Sequence, residues 1–360
     1  MIDLSLVPDG GLRWLDGSGP MANVVLSTRV RLARNVAGVP FATRAGAAAR
    51  AQVLELVDEA WRRSAFGRAS VRFHFDELAV EDRTLLHERH LVSRELAAAP
   101  SEREGGSGAA VFLAGSTGAM VNEEDHVRLQ SLRSGFALGQ AYAEVEQLDA
   151  ALGAAVPFAF HREFGYLTAC PTNAGTGLRA SVLIHLPGLV LTKEIAKVLQ
   201  GLTQVGLTFR GLYGEGSEVV GNFFQLSNQT TLGKSEEDLL DHLAKIVRQV
   251  VAYEEQARRV LLRDAPTIIE DKVWRAYGLL RHARSLSFEE AMNLLSGVRL
   301  GVGLDLVPGV GVYTLNKLLI FAQPAHLAAF EARVPGDADA RAARAAFVRR
   351  LLDEEAGRRA

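Results

Sequence analysis

Cysteine is almost absent: Cys170 is the only one in 360 residues. An internal disulfide is therefore excluded, and a metal site would have to be assembled from histidine and carboxylate. Long apolar runs are missing too. No stretch approaches the roughly 18 residues that a membrane-spanning helix needs, and the opening MIDLSLVPDG carries an Asp where a secretory signal carries positive charge. The chain is expected to stay in the cytoplasm. Net charge is lacking as well, with 40 Lys and Arg against 42 Asp and Glu. No global field draws in nucleic acid or an anionic membrane, so neither is expected as a direct partner and any anion site must be local.

Several familiar motifs are also missing. TLGKSEE contains GKS, but a phosphate-binding P-loop needs a glycine where Asn228 stands. HREFG, residues 161–165, runs together fragments of two kinase loops that belong on separate elements. GVGLDLVPGVG, residues 301–311, lacks the strand-to-helix context of a dinucleotide site and reads as a bent connection between helices. The nine histidines are scattered and form no HExxH pair.

What is present is enough apolar material, 48% of the chain, for one sizeable core and a smaller second unit. Residues 1–22, rich in Gly, Asp and Pro, read as a leader lying on the surface. RAQVLELVDEAWRRSAF places Val53, Leu54, Val57, Ala60 and Trp61 on one helical face, while VRFHF, AAVFLAG, AMVN, FGYLTA, SVLIHL and VGLTFRGLY have strand length. This alternation suggests a mixed sheet flanked by helices. Ser235 and Asp238 form a capping box ahead of a long periodic segment, and Ser287 with Glu290 forms another. After RDAPT, with a break at residues 264–267, the chain is almost entirely helical, and Ile269, Val273, Tyr277 and Leu280 make an apolar stripe.

Four segments carry candidate chemistry. STRVRLARN sets Arg29 and Arg31 two apart, so in a strand both forks face one side and suit a polyphosphate. A solvated basic face continued by Arg34 is the alternative. VNEEDHVRLQSL crowds Glu123, Glu124 and Asp125 beside His126 and Arg128, which calls for a cation or charged substrate, or else marks a helix start. RGLYGEGSEVVGNFFQLSN joins Arg210 to a glycine-bounded turn with Glu215, and CPTNAGTGLRASV places Cys170 in an irregular loop ahead of Arg179.

Together STRVR, VNEEDHVR, CPTNAGTGLRASV and RGLYGEGSE resemble, in order and spacing, the ATP:guanidino phosphotransferases, the phosphagen-kinase family, and most closely its bacterial protein-arginine kinases. VWRAYGLLRHARSLSFEEAMNLLSGVRLGV, residues 273–302, resembles the helical C-terminal domain of the latter. The short leader before Ser27, where small-molecule guanidino kinases carry a sizeable helical domain, favours a protein substrate. The resemblance implies an α+β fold: a leader over 1–22, a catalytic domain over 23–255 with an antiparallel sheet flanked by helices, and an all-helical domain over 256–360 for dimerisation or substrate docking.

It also implies transfer of the γ-phosphate of ATP to protein arginine. Arg29, Arg31, Arg128, Arg179 and Arg210 would clamp the phosphates, within a nucleotide set that adds Ser27, Thr28, Val30, His90, Ala180, Ser181, Val182, Leu183, Gly211, Leu212, Tyr213, Gly214 and Glu215. Backbone amides of residues 179–183 and of the turn before Glu215 would add donors. Glu124 and Glu215 would grip the substrate guanidinium, with Glu124 taking its proton, and Cys170, its thiolate favoured by surrounding arginines, would orient it. Glu123 would hold Mg²⁺ through water. The implied partners are a Clp unfoldase and protease, a heat-shock repressor, a small zinc-binding activator and a second copy of the chain. The family's RDxxRA element, which binds phosphoarginine, is represented only by ARAARA at residues 340–345, where Arg344 and Ala345 fit and Ala340 and Arg341 do not. A kinase for free arginine and an inactive phosphoarginine-binding adaptor are the alternatives.

Overall fold

The computed structural model describes residues 12–41, 44–98, 108–211, 219–331 and 337–359. Its strands are β1 (Val25–Arg34), β2 (Val71–His74), β3 (Ala110–Ala114), β4 (Thr117–Val121), β5 (Val127–Ser134), β6 (Phe160–His161), β7 (Gly165–Tyr166), β8 (Leu178–His185), β9 (Leu207–Arg210) and β10 (Phe223–Asn228). Eight of them build one sheet in the order β2-β3-β4-β5-β1-β8-β10-β9, and every ladder in it is antiparallel. The mixed sheet suggested by the alternation of elements is thus corrected. Strand-length runs reveal that a sheet exists but not the direction of its pairing. FGYLTA forms no long strand either. Within it Gly165 and Tyr166 pair with β6 and Tyr166 also bridges Gly175, and at Gly165, φ 69°, a Cβ would lie 2.5 Å from the carbonyl oxygen of Gly175.

The helices are α1 (Ala47–Arg63), α2 (Val80–Glu88), α3 (Arg94–Ala97), α4 (Leu138–Gly153), α5 (Pro187–Leu191), α6 (Ile195–Gln204), α7 (Glu236–Asp264), α8 (Pro266–His282), α9 (Phe288–Gly303), α10 (Val312–Phe321), α11 (Pro324–Glu331) and α12 (Asp337–Arg359). Among the described residues none is long and apolar enough to cross a membrane. The capping box forms as expected: Ser235 Oγ accepts from the Asp238 backbone N–H at 3.1 Å while Asp238 accepts from the Ser235 N–H, and α7 runs from there without a break to Asp264. Pro266 opens α8 in the first turn, where its missing N–H costs nothing.

Three cores divide the sheet between them. On one face Val30 and Leu32 of β1, Ala180 and Val182 of β8 and Leu129 of β5 pack against Trp61 of α1, Val145 of α4 and Val247 of α7. The opposite face carries two apolar patches: at one, Leu26, Leu132, Leu183 and Phe223 meet α8, α9 and α10 through Val273, Leu295 and Leu318, and at the other Val111 and Leu113 of β3 and Met120 of β4 pack with Phe75, Leu86 and Leu96. Part of the strip 12–22 belongs to the first of these patches, while Ser18, Pro20 and Met21 are exposed. Leu12, Trp14 and Leu15 are buried, Asn316 Nδ2 donates to the Leu15 carbonyl at 2.7 Å, and Arg299 Nη2 donates to that of Ala22 at 2.6 Å. The expected surface leader does not hold for these residues. Weak periodicity hid a segment pinned by single contacts rather than by a regular face.

His185, at the end of β8, joins the sheet to the helical segment. Its ring stacks on Phe223 at 4.7 Å and its Nε2 lies 2.8 Å from Ser296 Oγ of α9. Burial, reinforced by Arg299 and Arg258, pushes its pKa well below the ordinary 6.5. Such a group stabilises the fold fully above its unfolded pKa and loses that contribution as pH falls below it, because only the unfolded chain then binds the proton. Urea midpoints should therefore fall as pH drops below 6.5. In His185→Phe, which keeps the ring stack but cannot titrate, the slope should be shallower by one proton, about 1.4 kcal/mol per pH unit; an unchanged slope would contradict this assignment.

Candidate active site

Cross-strand register decides which side chains share a face. Arg31 stands opposite Gln130 of β5 and Arg179 of β8, and Arg29 stands opposite Leu132 and Ser181. Arg128 is opposite Ala33, two residues beyond Arg31. Arg210 of β9 faces Gln225 of β10, which faces Leu183 of β8, which faces Ser27 of β1. Arg29, Arg31, Arg128, Arg179 and Arg210 therefore project from one face of four strands, β5, β1, β8 and β9, the last separated from β8 by β10, beside an apolar patch covered by the helices. Arg34 does not continue a surface patch. It is 2% exposed and holds Asp149 through Nε and Nη2 at 2.9 and 2.8 Å.

The same period of two removes some of the expected contacts. Thr28, Val30, Ala180 and Val182 point to the opposite face and are buried there, so their side chains cannot reach a ligand held by the arginines. The amide donors expected from residues 179–183 are corrected too. β8 is paired on both sides, and where the ladder with β10 ends the Ala180 N–H goes to Asn228 Oδ1 at 2.8 Å. Ser27, Ser181 and Leu183 do face the site: with Trp14, Arg29 and His90 they line a small cavity of about 20 Å³. His90 is at φ 59° with its ring edge-on to Trp14 at 5.2 Å, and burial together with Arg29 lowers its pKa to about 3. Gly211 is buried after β9. Leu212, Tyr213, Gly214 and Glu215 lie outside the described residues.

Cations crowd this face. Arg31 opposes Arg179 directly, and burial plus repulsion from Arg29, Arg128 and Arg179 pulls its pKa well below the ordinary value. Its buried Nε has no hydrogen-bond partner among the described residues. Burial and Arg128 bring Arg29 down to about 10, although Gln130 Oε1 accepts from its Nε at 3.0 Å and its Nη2 at 2.5 Å. Several guanidinium groups on one wall, one of them with a buried Nε that has no partner among the described residues, suit a ligand with several anionic oxygens.

The three acids lie in the turn between β4 and β5, entered through Asn122 at φ 56°, and not at a helix start. They have three different environments. Burial works against charge on Glu123, yet Arg128, the Glu124 N–H and Ser93 together hold its pKa below the ordinary value. Glu124 is half-exposed, and burial with repulsion from Glu123 and Asp125 raises its pKa even though Arg128 Nη2 lies 2.6 Å away. Asp125 is fully buried and structural. Its Oδ1 accepts from Asn35 Nδ2 at 2.8 Å and from the Ala169 N–H at 2.7 Å, while Asn35 Oδ1 accepts from the His126 N–H at 2.9 Å. This ties the acidic turn to the loop ending at Cys170. The thiol itself shares a hydrogen bond with Thr172 Oγ1 at 3.0 Å.

Asn35, Trp14 and Gln130 are thus residues at the site that the motifs did not single out, and Asp125, named only as one of three acids, acts as an internal acceptor. Gln130 alone had a local signal, as it sits two residues after Arg128 in a strand. Among the described residues no group of three or more His, Cys, Asp and Glu is placed to hold a metal by itself.

A family model described as ATP:guanido phosphotransferase, C-terminal catalytic domain, matches residues 52–257, and one described as Protein-arginine kinase McsB C-terminal domain matches residues 266–359. A protein named protein-arginine kinase from Moorella thermoacetica is 44% identical over 356 residues, 97% of this chain and 99% of that one. One from Bacillus cereus is 41% identical over 95% of this chain and 96% of its own. Among solved structures, the duplicated taurocyamine kinase from Schistosoma mansoni with bound transition state analog components is similar at a TM-score of 0.60 and 29% identity, covering 71% of this chain and 35% of that one. Lombricine kinase shares the fold at a TM-score of 0.57 and 23% identity, over 69% of this chain and 71% of its own.

The lock on the Cys170 loop is open to test by hydrogen exchange. Asp125→Ala removes the acceptor of the Ala169 amide, and its exchange should accelerate about 10- to 100-fold, the scale of one lost buried hydrogen bond. Protection at Ala169 equal to that of the parent chain would show that other contacts hold the loop.

Proposed function

We infer the part played by each side chain from one premise: the chain belongs to the ATP:guanido phosphotransferase family and, within it, to the protein-arginine kinases. The enzyme transfers the γ-phosphate of ATP to arginine side chains of proteins. The observation that carries the residue assignments is the single sheet face presenting Arg29, Arg31, Arg128, Arg179 and Arg210 beside the carboxylates of the 122–126 turn.

Phosphoryl transfer leaves the protein little covalent work. Its task is to align the reactants and to neutralise charge spread over the moving phosphoryl oxygens. The five arginines do this, and the partnerless Nε of Arg31 is ready to donate to a phosphate oxygen. The attacking guanidinium has a pKa above ~12 and is no nucleophile until it loses a proton. Glu124 takes that proton as the nitrogen–phosphorus bond forms and the bond to the β-phosphate oxygen breaks. Arg128 holds Glu124. Phosphate oxygens compete for the same guanidinium, so nucleotide binding loosens that grip and turns the carboxylate toward the incoming arginine. Cys170, on the loop locked to the same turn, orients the substrate cation, and Glu215 supplies the opposing carboxylate.

We assign Mg²⁺ to Glu123 through water, since magnesium keeps waters and Glu123, its side chain 1% exposed and its oxygens accepting from Arg128 and the Glu124 N–H, offers no free edge for direct ligation. When bound, Mg²⁺ would neutralise phosphate charge. We assign catalysis to residues 23–255 and dimerisation or substrate docking to the helical segment 256–360. A cytoplasmic setting, a homodimer, a Clp unfoldase and protease, a heat-shock repressor and a zinc-binding activator follow from the family resemblance.

Incubation with ATP, Mg²⁺ and casein, followed by non-acidic mass spectrometry, should place phosphate on arginine and not on Ser, Thr or Tyr. Free arginine should be a far poorer acceptor than casein, and equal rates would point to a small-molecule kinase instead. Glu124→Gln should lower kcat by about 10²- to 10⁴-fold, the range of a general base, with ATP affinity nearly unchanged. Because burial raises the Glu124 pKa above 4.5, kcat/KM should fall on the acid side at a higher pH than an ordinary glutamate would give. A limb at or below the ordinary value would remove Glu124 from the role of base.

A further inference from the structure

Residues 88–91 connect the arginine face to the C-terminal helical segment. On the side of the site, the Leu91 carbonyl accepts from Gln130 Nε2 at 2.7 Å, and Gln130 Oε1 accepts from both Nε and Nη2 of Arg29. One amide side chain thus orients Arg29 against the backbone next to His90. His90 itself is held at φ 59°, a conformation that a residue with a Cβ adopts only when its surroundings impose it.

On the other side, Glu88 and Arg89 grip α11. Glu88 Oε1 accepts from the Ala325 N–H at 2.9 Å, and Oε2 accepts from the His326 N–H at 3.1 Å and lies 2.7 Å from its Nδ1. Arg89 Nε donates to His326 Nε2 at 3.0 Å. An arginine Nε–H only donates, so Nε2 is the acceptor and Nδ1 carries the proton given to Glu88. His326 is fully buried and Glu88 is 5% exposed. Parting them would leave a buried carboxylate and a buried imidazole without partners, which is far costlier than breaking a surface pair.

A continuous chain of hydrogen bonds and backbone therefore runs from α11 through His326, Glu88 and Arg89 to His90 and Leu91, and on through Gln130 to Arg29. We propose that His326 and Glu88 are positioning residues for ATP: by locking residues 88–91 onto α11 they set the orientation of His90 and Arg29, so that nucleotide affinity depends on the C-terminal helical segment. This rests on the reading of Arg29 as a phosphate contact.

The test compares His326→Leu, which removes both partners, with His326→Gln, which keeps a donor and an acceptor, and with Arg29→Lys, in the full-length enzyme with ATP and casein. His326→Leu should raise KM and Kd for ATP about tenfold, the scale of a lost charge-assisted hydrogen bond. The kcat at saturating ATP and the KM for casein should stay near the parent values, and His326→Gln should recover most of the ATP affinity. A merely structural role would lower the melting temperature of His326→Leu without moving KM for ATP in the folded enzyme. That result overturns the proposal, provided Arg29→Lys weakens ATP binding. If Arg29→Lys leaves ATP binding unchanged, the phosphate reading of Arg29 fails and the proposal with it. Should His326→Leu not fold, Glu88→Gln carries the same comparison, and an unchanged KM for ATP there overturns the proposal equally.

Discussion

Five guanidinium groups on one face of a sheet repel one another, and the site exists because the reverse face of the same strands makes leaving that arrangement more costly still. The period of a strand allows no independent choice. Every arginine placed on the open face of β1 and β8 alternates with Val30, Leu32, Ala180 or Val182 on the closed one. A one-residue slip in register would expose those apolar side chains and bury the arginines in the first core, so the hydrophobic pattern holds the cations in line. The lowered pKa values of Arg29 and Arg31 express the residual cost. That cost is relieved when anionic oxygens arrive.

The acidic turn shows how neighbouring carboxylates acquire separate tasks. Glu123, Glu124 and Asp125 are consecutive, but the turn sends them in three directions. Glu123 goes inward against Arg128 and becomes a fixed anion. Asp125 goes into the protein and becomes a hydrogen-bond acceptor for Asn35 and Ala169. Glu124 stays at the mouth with one cationic partner and a raised pKa. Pairs of titratable groups driven apart by their surroundings define acid and base assignments, and here the separation comes from a backbone that is left-handed at Asn122. Because Asp125 spans to the Cys170 loop, Glu124 and the thiol share one scaffold.

Local signals in the chain anticipated the parts of this structure that depend on local geometry. The Ser235 capping box, the α8 stripe through Ile269, Val273 and Leu280, and the pairing of Arg29 with Arg31 on one side all follow from spacings of two to four residues. The four motif segments were legible through their resemblance to a family, since no periodicity joins residue 31 to residue 179. What escaped reading depends on pairing between distant segments. Whether β8 has free amides is decided by β1 and β10 lying on its two sides. Trp14 looked like surface because its partners, Leu132 and His90 among them, are far away in sequence. Asp125 was indistinguishable from its neighbours until the turn gave each acid a direction.

The C-terminal helices acquire a structural logic from the shared sheet face. Leu132 and Leu183 belong to the same face as the arginines, and Leu132 is the cross-strand partner of Arg29. The helices that bury these leucines therefore also bound the cationic half, and cannot shift without disturbing it. Arg344, the arginine that fits the phosphoarginine element, serves this packing. It is 4% exposed, with Nε on the Ala322 carbonyl at 2.7 Å and Nη1 on that of Leu286 at 2.9 Å. Ala322 is the C-cap of α10, two residues before α11 begins. A ligand recruiting Arg344 would first have to replace two buried carbonyl bonds, whereas Arg344 left in place steadies the start of the helix that carries His326. Its position favours support of α11 over capture of a phosphate.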